Sequence, residues 1–328
     1  MCVSPARRAC RPCWCAARTV TATSTTSRGP RPTATRRRGR PTSASPRPTS
    51  VRSRSWRSAT RTCPSKAERQ ARADVETLAD KVAIVTGAAS DAGIGAAIAR
   101  RFARGGAALF LTDVAPVEQT ITACKALARG GQRIEGRTFD LAVPGEAEAM
   151  VAAALDVLGR VDILCNNAGL RISKPFGTFT REDFDRCVQV NLAAPFFASQ
   201  AVLPAMRRQG GGRIIHTASQ LGAVASSTRA IYGFTKAALI HLTKTMALEL
   251  GPEGIIVNAI SPGPTATGPI LERERQDPAL SKERMARVPL GRFGRPDEIA
   301  ELAWFLATTP AQFLHGSNII IDGGYTAW

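Results

Sequence analysis

Residues 81–95 read KVAIVTGAASDAGIG, and this stretch decides the fold of the chain. Residues 81–86 are a short, mostly apolar run with β-branched side chains, which is typical of a buried parallel strand. The glycine-rich turn that follows leads into AAIARRFARGG, which has the pattern of an amphipathic helix. A strand, a glycine-rich turn and a helix in this order let backbone N–H groups and the helix N-terminus receive a pyrophosphate. The stretch therefore predicts a dinucleotide-binding βα unit.

Each glycine of this turn has an expected role. Gly87 permits the tight turn after the strand, and Gly93 lets the cofactor approach the backbone. Gly95 lets the helix pack close to the strand. Ile94 lies between the last two glycines, and we include it in the predicted cofactor site.

The alternation of strand and helix patterns continues along the chain. Seven runs have the length and composition of strands: KVAIVT (81–86), ALFLT (108–112), RIEGRTF (133–139), VDILCNN (161–167), RIIHTAS (213–219), IIVNAI (255–260) and NIIID (318–322). Helical patterns separate them, which predicts an α/β fold with one doubly wound, parallel, seven-stranded sheet. Ligands of such sheets bind at the carboxyl ends of the strands.

Asp113 directly follows the second predicted strand. A carboxylate at that position can accept hydrogen bonds from both ribose hydroxyls of NAD, and it would repel a 2′-phosphate. No arginine or lysine stands immediately after Asp113 or inside the glycine turn to receive such a phosphate. The sequence therefore favours NAD over NADP as the cofactor. The alternative is an aspartate that only caps the next helix.

Ser219, Tyr232 and Lys236 lie in the stretch SQLGAVASSTRAIYGFTK (219–236). Tyr232 and Lys236 are four residues apart, so on a helix they share one face. A lysine beside a phenol favours the phenolate and is expected to lower the pKa of Tyr232, which would make it a usable general acid or base. Ser219 would polarise a carbonyl oxygen at the same point. Taken alone, the pair is more typical of a half-buried tyrosine beside a solvated lysine than of a catalytic pair.

Residues 78–328 resemble the short-chain dehydrogenase/reductase family. Five signals fall in the family's order along the chain: the TG…GIG turn, Asn166-Asn167-Ala168-Gly169, Asn191, Ser219 with Tyr232 and Lys236, and Pro262-Gly263. PLGRFGRPDEIA (289–300) and Asp322-Gly323-Gly324 are also similar to its C-terminal pattern. The resemblance implies a Rossmann-fold oxidoreductase.

The resemblance implies roles for four catalytic residues. Tyr232 would exchange a proton with the substrate oxygen while the nicotinamide exchanges the hydride. Lys236 would hold the nicotinamide ribose and lower the pKa of Tyr232, and Ser219 would orient the carbonyl. Asn191 would kink its helix and hold a water that relays protons to solvent.

The resemblance also implies contacts with the rest of the cofactor. Asp140 and Leu141 would contact the adenine, and Asn167 would brace the adenosine side. Thr265 and Thr267 would meet the carboxamide and the phosphates after the Pro-Gly turn.

The glycine turn departs from the family pattern in its length. The family has three residues between the first two glycines, whereas Gly87 and Gly93 enclose five, including Asp91. A carboxylate beside a pyrophosphate is unfavourable, so we expect the extra residues to bulge outward with Asp91 facing solvent.

The substrate is expected to be a small or medium secondary alcohol or ketone. Residues 268–292 would form a mobile lid over its pocket. The family commonly forms homodimers and homotetramers through the helices after Asn191 and around Tyr232, which implies a homo-oligomer. Six side chains could line the pocket, although each of them could equally be an ordinary packing residue: Leu170, Phe176, Gln220, Leu221, Pro264 and Ile270.

Residues 1–74 differ in composition from the domain that we predict at 75–328. Residues 1–72 hold seventeen arginines, one lysine and one acid, a charge of 18 − 1 = +17 out of a total of +18. This Arg/Pro/Ser/Thr-rich tail is expected to be disordered. Its alternatives are a transit peptide, a basic arm for nucleic acid, or a segment foreign to the natural protein; an inert or foreign tail is the preferred interpretation. A different class of function is a non-catalytic NAD sensor, or a nucleic-acid-associated protein that uses this tail.

Cysteine usage and hydropathy suggest a cytoplasmic protein. Five of the eight cysteines lie in the tail without the partners of a tetrahedral zinc site, so we predict no metal. Cys124, Cys165 and Cys187 stand among apolar neighbours, as small core residues do in a reducing compartment. No run is long enough to span a membrane, and we expect no membrane or nucleic-acid partner.

Overall fold

The computed structural model describes residues 77–277, 282 and 285–327. The predictions for the basic tail, including its five cysteines, concern residues outside this range. The predicted lid, residues 268–292, lies only partly within the described range.

The described residues form one seven-stranded, entirely parallel sheet, as the sequence predicts. Its order is β3-β2-β1-β4-β5-β6-β7. The strands are β1 (Val82–Thr86), β2 (Ala108–Asp113), β3 (Ile134–Thr138), β4 (Ile163–Asn166), β5 (Gly212–Thr217), β6 (Ile255–Pro262) and β7 (Asn318–Ile321).

Eight α-helices accompany this sheet in the part of the chain that is described. They are α1 (Ile94–Arg104), α2 (Glu118–Leu127), α3 (Glu146–Leu158), α4 (Arg181–Val188), α5 (Ala194–Arg208), α6 (Ala230–Leu250), α7 (Gly268–Gln276) and α8 (Pro296–Thr308). A π-helical segment, Gln189–Ala193, joins α4 to α5. The helical patterns that separate the predicted strands correspond to α1 through α6, whereas α8 was not predicted from the sequence.

The order of the strands reverses beside β1. Val85 of β1 lies opposite Leu111 of β2 on one side and Cys165 of β4 on the other. The connection from β1 leads toward β2, and the connections from β4 onward lead the opposite way. Such a reversal opens a crevice at the carboxyl ends of the strands, which is where doubly wound sheets bind ligands.

Two separate apolar cores lie on the two faces of the sheet, because successive strand residues point to opposite faces. In β2, Leu109 and Leu111 pack into the core that contains Phe102 of α1, whereas Phe110 packs into the core that contains Met150 of α3. All of these side chains are fully buried. The near-continuous apolar pattern of the strands, from which the sheet was predicted, reflects this double burial.

Helix α8 packs against α1 through an aromatic contact. The rings of Phe102 and Trp304 meet edge to face with centroids 6.3 Å apart, an arrangement that contributes about 0.5–1.5 kcal/mol beyond the area buried. The Arg101 guanidinium lies 3.7 Å from the centroid of the Trp304 ring and donates to Glu301 at 2.7 Å. These contacts hold α8 against α1, and buried residues of α8 such as Ala303 belong to the same apolar core as Phe102.

The three described cysteines are core residues, as predicted. Cys124, Cys165 and Cys187 are buried and form no disulfide. Burial raises the pKa of the Cys124 thiol to about 11, which keeps it protonated near neutral pH. None of the described helices is long and apolar enough to cross a membrane.

Candidate active site

A cleft of about 770 Å³ opens at the carboxyl ends of the strands. Gly93, Gly95 and Asn191 lie behind its wall rather than on it. The other predicted site residues line it: Gly87, Ile94, Asp113, Asp140, Leu141, Asn167, Ser219, Tyr232, Lys236, Thr265 and Thr267.

The glycine turn depends on very close backbone packing. Gly87 has a left-handed φ of +71°, and a Cβ on it would lie 2.8 Å from the Cα of Ala168. A Cβ on Gly95 would lie 2.1 Å from the carbonyl oxygen of Gly87. Gly93 precedes α1 directly as its N-cap residue. Helix α1 therefore begins against the turn, and its N-terminus faces the cleft through Ile94.

Asp91 points outward from the lengthened turn, in the direction that the sequence analysis expected. Its side chain is 61% exposed, and its carboxylate accepts a hydrogen bond from Arg100 at 2.7 Å. Arg100 also donates to the backbone oxygen of Asp91 at 3.0 Å. The two extra residues thus leave the inner edge of the turn free of this negative charge.

Asn167 fastens the turn to the end of β4. Its side-chain amide donates to the backbone oxygens of Thr86 at 2.9 Å and Gly87 at 3.3 Å. In return, the Thr86 hydroxyl accepts hydrogen bonds from the backbone N–H groups of Asn167 and Ala168, both at 2.9 Å. These bonds hold the ends of β1 and β4 in register around the turn.

Asp113 stands at the end of β2 and also supports the glycine turn. One carboxylate oxygen accepts from the backbone N–H of Ala89 at 2.9 Å, and the other from Ala115 at 3.4 Å. Helix α2 begins only at Glu118, so Asp113 does not cap it. A carboxylate oxygen accepts more than one hydrogen bond, and Asp113 can therefore still bind ribose hydroxyls in the cleft.

The neighbouring wall of the cleft is formed by the chain after β3. Asp140 accepts a hydrogen bond from the backbone N–H of Ala142 at 2.9 Å, which shapes this loop. Leu141 is buried beside it. On the opposite side of the cleft, Thr265 is buried and its hydroxyl donates to the backbone oxygen of Gly263 at 3.0 Å. Thr267 precedes α7.

Tyr232 and Lys236 lie on the first turns of α6, opposite the end of β5. The ammonium group of Lys236 is buried and donates to the backbone oxygen of Thr217 at 2.7 Å. It lies 5.8 Å from the centre of the Tyr232 ring. Ser219, two residues after Thr217, accepts from the backbone N–H of Leu221 at 3.1 Å. Serine, tyrosine and lysine thus meet at one point of the cleft.

The pKa of Tyr232 is raised, because burial disfavours the phenolate. A hydrogen bond with Ser219 and the charges of Arg171 and Arg229 oppose this shift without reversing it. Burial also lowers the pKa of Lys236, to about 8. The expected lowering of the pKa of Tyr232 is therefore wrong in its net direction, because the cost of burying the phenolate is larger than the lowering from its surroundings.

Asn191 is fully buried within the π-helical segment between α4 and α5. Its side chain accepts from the backbone N–H of Leu170 and donates to the backbone oxygen of the same residue, both at 2.8 Å. It also donates to the Thr235 hydroxyl at 3.1 Å. The predicted kink is present as this π-helical irregularity, and it links the loop after β4 to the helix that carries Tyr232.

Five of the six candidate pocket residues line the cleft. Phe176 does not: its side chain is 85% exposed in a short 3-10 turn at the surface, and its prediction as a pocket residue was wrong. The start of the proposed lid forms α7, from which Ile270 reaches the cleft. The candidates that do line it are Leu170, Gln220, Leu221, Pro264 and Ile270.

A group of arginines in the wall of the cleft was not predicted from the sequence. Two of them could have been suspected from their positions, because Arg171 follows Gly169 by two residues and Arg229 precedes Tyr232 by three. The others come from α4, from α7 and from the chain after it. The group comprises Arg171, Arg186, Arg229, Arg273 and Arg287.

The described residues contain no group of three or more histidines, cysteines or acids placed to hold a metal ion.

Comparison with known proteins identifies the family of this chain. A family described as enoyl-(acyl carrier protein) reductase matches residues 87–326. D-threitol dehydrogenase of Mycolicibacterium smegmatis is 38% identical over 250 residues, which cover 75% of this chain and 93% of that protein. The NAD-dependent glycerol dehydrogenase of Listeria innocua is 34% identical over 249 residues, which cover 76% and 95%.

A solved structure shows the same fold. It is that of a putative 2-deoxy-D-gluconate 3-dehydrogenase from Agrobacterium tumefaciens with bound NADP, which is 32% identical and superimposes with a TM-score of 0.71. The match covers 78% of this chain and all of that one. These comparisons lend no support to a non-catalytic sensor or a nucleic-acid-associated protein. The chain belongs to the short-chain dehydrogenase/reductase family and is an oxidoreductase.

Proposed function

We propose that this enzyme transfers a hydride between NAD(H) and the CH–OH or C=O group of a small or medium secondary alcohol or ketone. The observation that carries the proposal is the meeting of Ser219, Tyr232 and Lys236 in the cleft at the carboxyl ends of the strands. The names of two relatives support the substrate class, since threitol and glycerol both carry secondary hydroxyl groups.

Each residue of this set has a proposed task. The nicotinamide, when bound, accepts the hydride of the alcohol or supplies the hydride that reduces the ketone. The phenolate of Tyr232 takes the proton from the alcohol during oxidation, and the hydroxyl of Tyr232 gives the proton to the substrate oxygen during reduction. Ser219 holds the substrate oxygen by a hydrogen bond, and the buried ammonium of Lys236 binds the ribose hydroxyls. Asn191 positions the chain around Leu170 and holds a water that passes the proton to solvent.

The proposed cofactor is NAD rather than NADP, and the proposal rests on Asp113. Similar proteins include both a dehydrogenase named as NAD-dependent and a structure with bound NADP, so family membership alone does not fix the choice. The carboxylate of Asp113 lines the cleft at the end of β2. A negative charge there favours ribose hydroxyls and disfavours a 2′-phosphate.

Asp113→Asn is expected to weaken NADH binding roughly tenfold and to strengthen NADPH binding by a similar factor. A hydrogen bond to a charged group contributes about 1.5–3 kcal/mol, and about 1.4 kcal/mol corresponds to tenfold in affinity. The asparagine oxygen still accepts from Ala89, so the glycine turn keeps its support. Fluorescence titration of both cofactors against the wild type and the variant measures the effect.

Asp140→Asn is the matched control, because it removes another carboxylate from the same cleft and keeps an acceptor for Ala142. Its ratio of NADH to NADPH affinity should stay at the wild-type value. A wild-type protein that prefers NADPH would contradict the proposed cofactor choice.

We also propose that the enzyme is a homodimer or homotetramer associated through α4, α5 and α6. Two phenylalanine pairs on these helices are partly exposed: Phe184 with Phe234, with centroids 5.6 Å apart, and Phe196 with Phe197, at 5.2 Å. Each of the four side chains is 38–42% exposed. Apolar rings grouped on neighbouring helices are typical of a surface that is covered in an assembly.

Phe197→Glu is expected to reduce the molar mass of the assembly, since burying a carboxylate in an apolar interface is unfavourable. Light scattering coupled to size exclusion should give two or four times the chain mass of 34.8 kDa for the wild type and a lower multiple for the variant. Phe176→Glu, at an exposed phenylalanine outside these helices, is the control and should leave the mass unchanged. A monomeric wild type would contradict the proposal.

A further inference from the structure

The part of the cleft around Tyr232 is lined by positive charge. Arg171 follows β4 and Arg229 precedes α6, and both line the cleft together with Tyr232. Among the described residues that line it, the carboxylates belong to Asp113 and Asp140. Asp113 ends β2 and Asp140 follows β3, and these two strands lie at the far side of the sheet order from β5.

The chain segments that carry Arg171 and Arg229 are held side by side. The backbone N–H of Lys174 donates to the backbone oxygen of Thr228 at 3.2 Å, which joins the two segments. Leu170, immediately before Arg171, is fixed through both its N–H and its carbonyl oxygen by Asn191. The placement of the two arginines beside the active site is therefore built into the fold.

The backbone conformation of Thr228 indicates that holding the two arginines beside the active site costs conformational free energy. Its φ is +60°, in the left-handed region, which is unfavourable for a β-branched residue. The strained residue directly precedes Arg229 and lines the cleft itself. Surrounding contacts must hold it in this conformation.

Two further features make this end of the cleft suitable for an anion. The charges of Arg171 and Arg229 both lower the pKa of Tyr232, so they lie close enough to act on its hydroxyl. In addition, α6 begins at Ala230, and its N-cap residue makes no side-chain capping bond. The positive end of a helix of 21 residues thus adds to the two guanidinium groups.

We propose that the substrate carries an oxyanion, a carboxylate or a phosphate, within a few bonds of the reacting CH–OH group, and that Arg171 and Arg229 bind it. This inference rests on the proposed function and narrows its substrate class from alcohols in general to anionic ones. Guanidinium groups form paired, charge-assisted hydrogen bonds with both kinds of oxyanion. Binding of the substrate's oxyanion by the two arginines would determine which carbon of the substrate faces Tyr232.

Binding to the Tyr232→Phe variant loaded with NAD tests the inference without turnover. The probes are glycerol, glycerate and glycerol 3-phosphate, which share a three-carbon skeleton and differ in charge; butane-1,3-diol and 3-hydroxybutyrate form a second pair. At least one anion should bind tenfold or more tightly than its neutral counterpart, and added salt should weaken this preference. Comparison of glycerate with glycerol 3-phosphate distinguishes carboxylate from phosphate. Equal or weaker binding of all the anions would overturn the inference.

Arg171→Gln and Arg229→Gln in the same background should each reduce the preference for the anion about tenfold. Arg104→Gln, at an exposed arginine in the last turn of α1, removes the same charge away from the cleft and should change nothing. A loss of NADH affinity in either cleft variant, with the anion preference intact, would assign these arginines to the cofactor and overturn the inference.

Turnover and binding with these probes distinguish a failure of the anion-site proposal from a failure of the proposed function. Oxidation of glycerol or butane-1,3-diol by the wild type, without preference for any anion, would refute the anionic substrate alone. Tight binding of an anion by a wild type that reduces no NAD with any of the five probes would support the anion site and count against the proposed reaction.

Discussion

Tyr232→Phe is expected to lower kcat by roughly 10²–10⁴, the range that a positioned general acid–base group contributes, while NADH binds as it does to the wild type. The substitution removes only the hydroxyl and keeps the ring that packs near Lys236. Without that hydroxyl no group in the proposed position exchanges a proton with the substrate oxygen. Steady-state kinetics and an NADH titration on the same preparation measure the two quantities.

Tyr325→Phe is the decisive companion variant. The chain has two tyrosines, and both line the cleft, so Tyr325 is the rival source of a phenolic proton. We expect its variant to retain turnover within a few-fold of the wild type. Retained turnover in Tyr232→Phe, or a collapse of turnover in Tyr325→Phe, would contradict the assignment.

The pH dependence follows from the raised pKa of Tyr232. Alcohol oxidation needs the phenolate as a base, and the phenolate fraction grows as the pH rises toward that pKa. Oxidation should therefore speed up from neutral to alkaline pH, whereas ketone reduction, which needs the protonated phenol, should be favoured at neutral pH. The rising arm of the oxidation profile should disappear in any activity that remains in Tyr232→Phe.

Gly95→Ala is expected to damage both cofactor binding and stability. The new Cβ would lie 2.1 Å from the carbonyl oxygen of Gly87 and 2.7 Å from the side-chain nitrogen of Asn167, so the glycine turn must move. Overpacking of this kind costs about 1–3 kcal/mol, which lowers Tm by roughly 2–12 °C for a domain of this size. NADH affinity should fall at least about tenfold, because the displaced turn is the proposed phosphate site. Thermal melts and NADH titration check both effects.

Gly177→Ala is the matched control for that variant. A Cβ there would meet nothing within 4 Å, and Gly177 has no left-handed φ. Its Tm and NADH affinity should stay at wild-type values. Unchanged NADH affinity in Gly95→Ala would contradict the view that close packing between Gly87 and Gly95 shapes the cofactor site.

The sheet and the positions of the main motifs could be predicted from local sequence patterns. A strand covered on both faces, such as Val82–Thr86, reads as a continuous apolar run, and a turn that needs close packing shows glycine. The same local signals were present for α8 and were overlooked. Its first residue is Pro296, and Glu298 accepts from the backbone N–H of Arg295 at 2.8 Å, a bond that caps the start of the helix.

The candidate site was predictable where spacing alone brings residues together and unpredictable where distant segments meet. Phe176 was a candidate for the pocket, yet the fold leaves it at the surface. Arg171 and Arg229 are 58 positions apart, and the hydrogen bond between the segments around Lys174 and Thr228 is what places them together.

The sequence by itself determined the parallel sheet, the glycine turn, the outward direction of Asp91 and the shared helical face of Tyr232 and Lys236. These features depend on the periodicity of neighbouring residues and on the size of single side chains. Only the tertiary structure decided the direction in which the pKa of Tyr232 shifts and the positive charge of the cleft around it. Both depend on burial and on charges from distant segments, and these quantities are set when the chain packs.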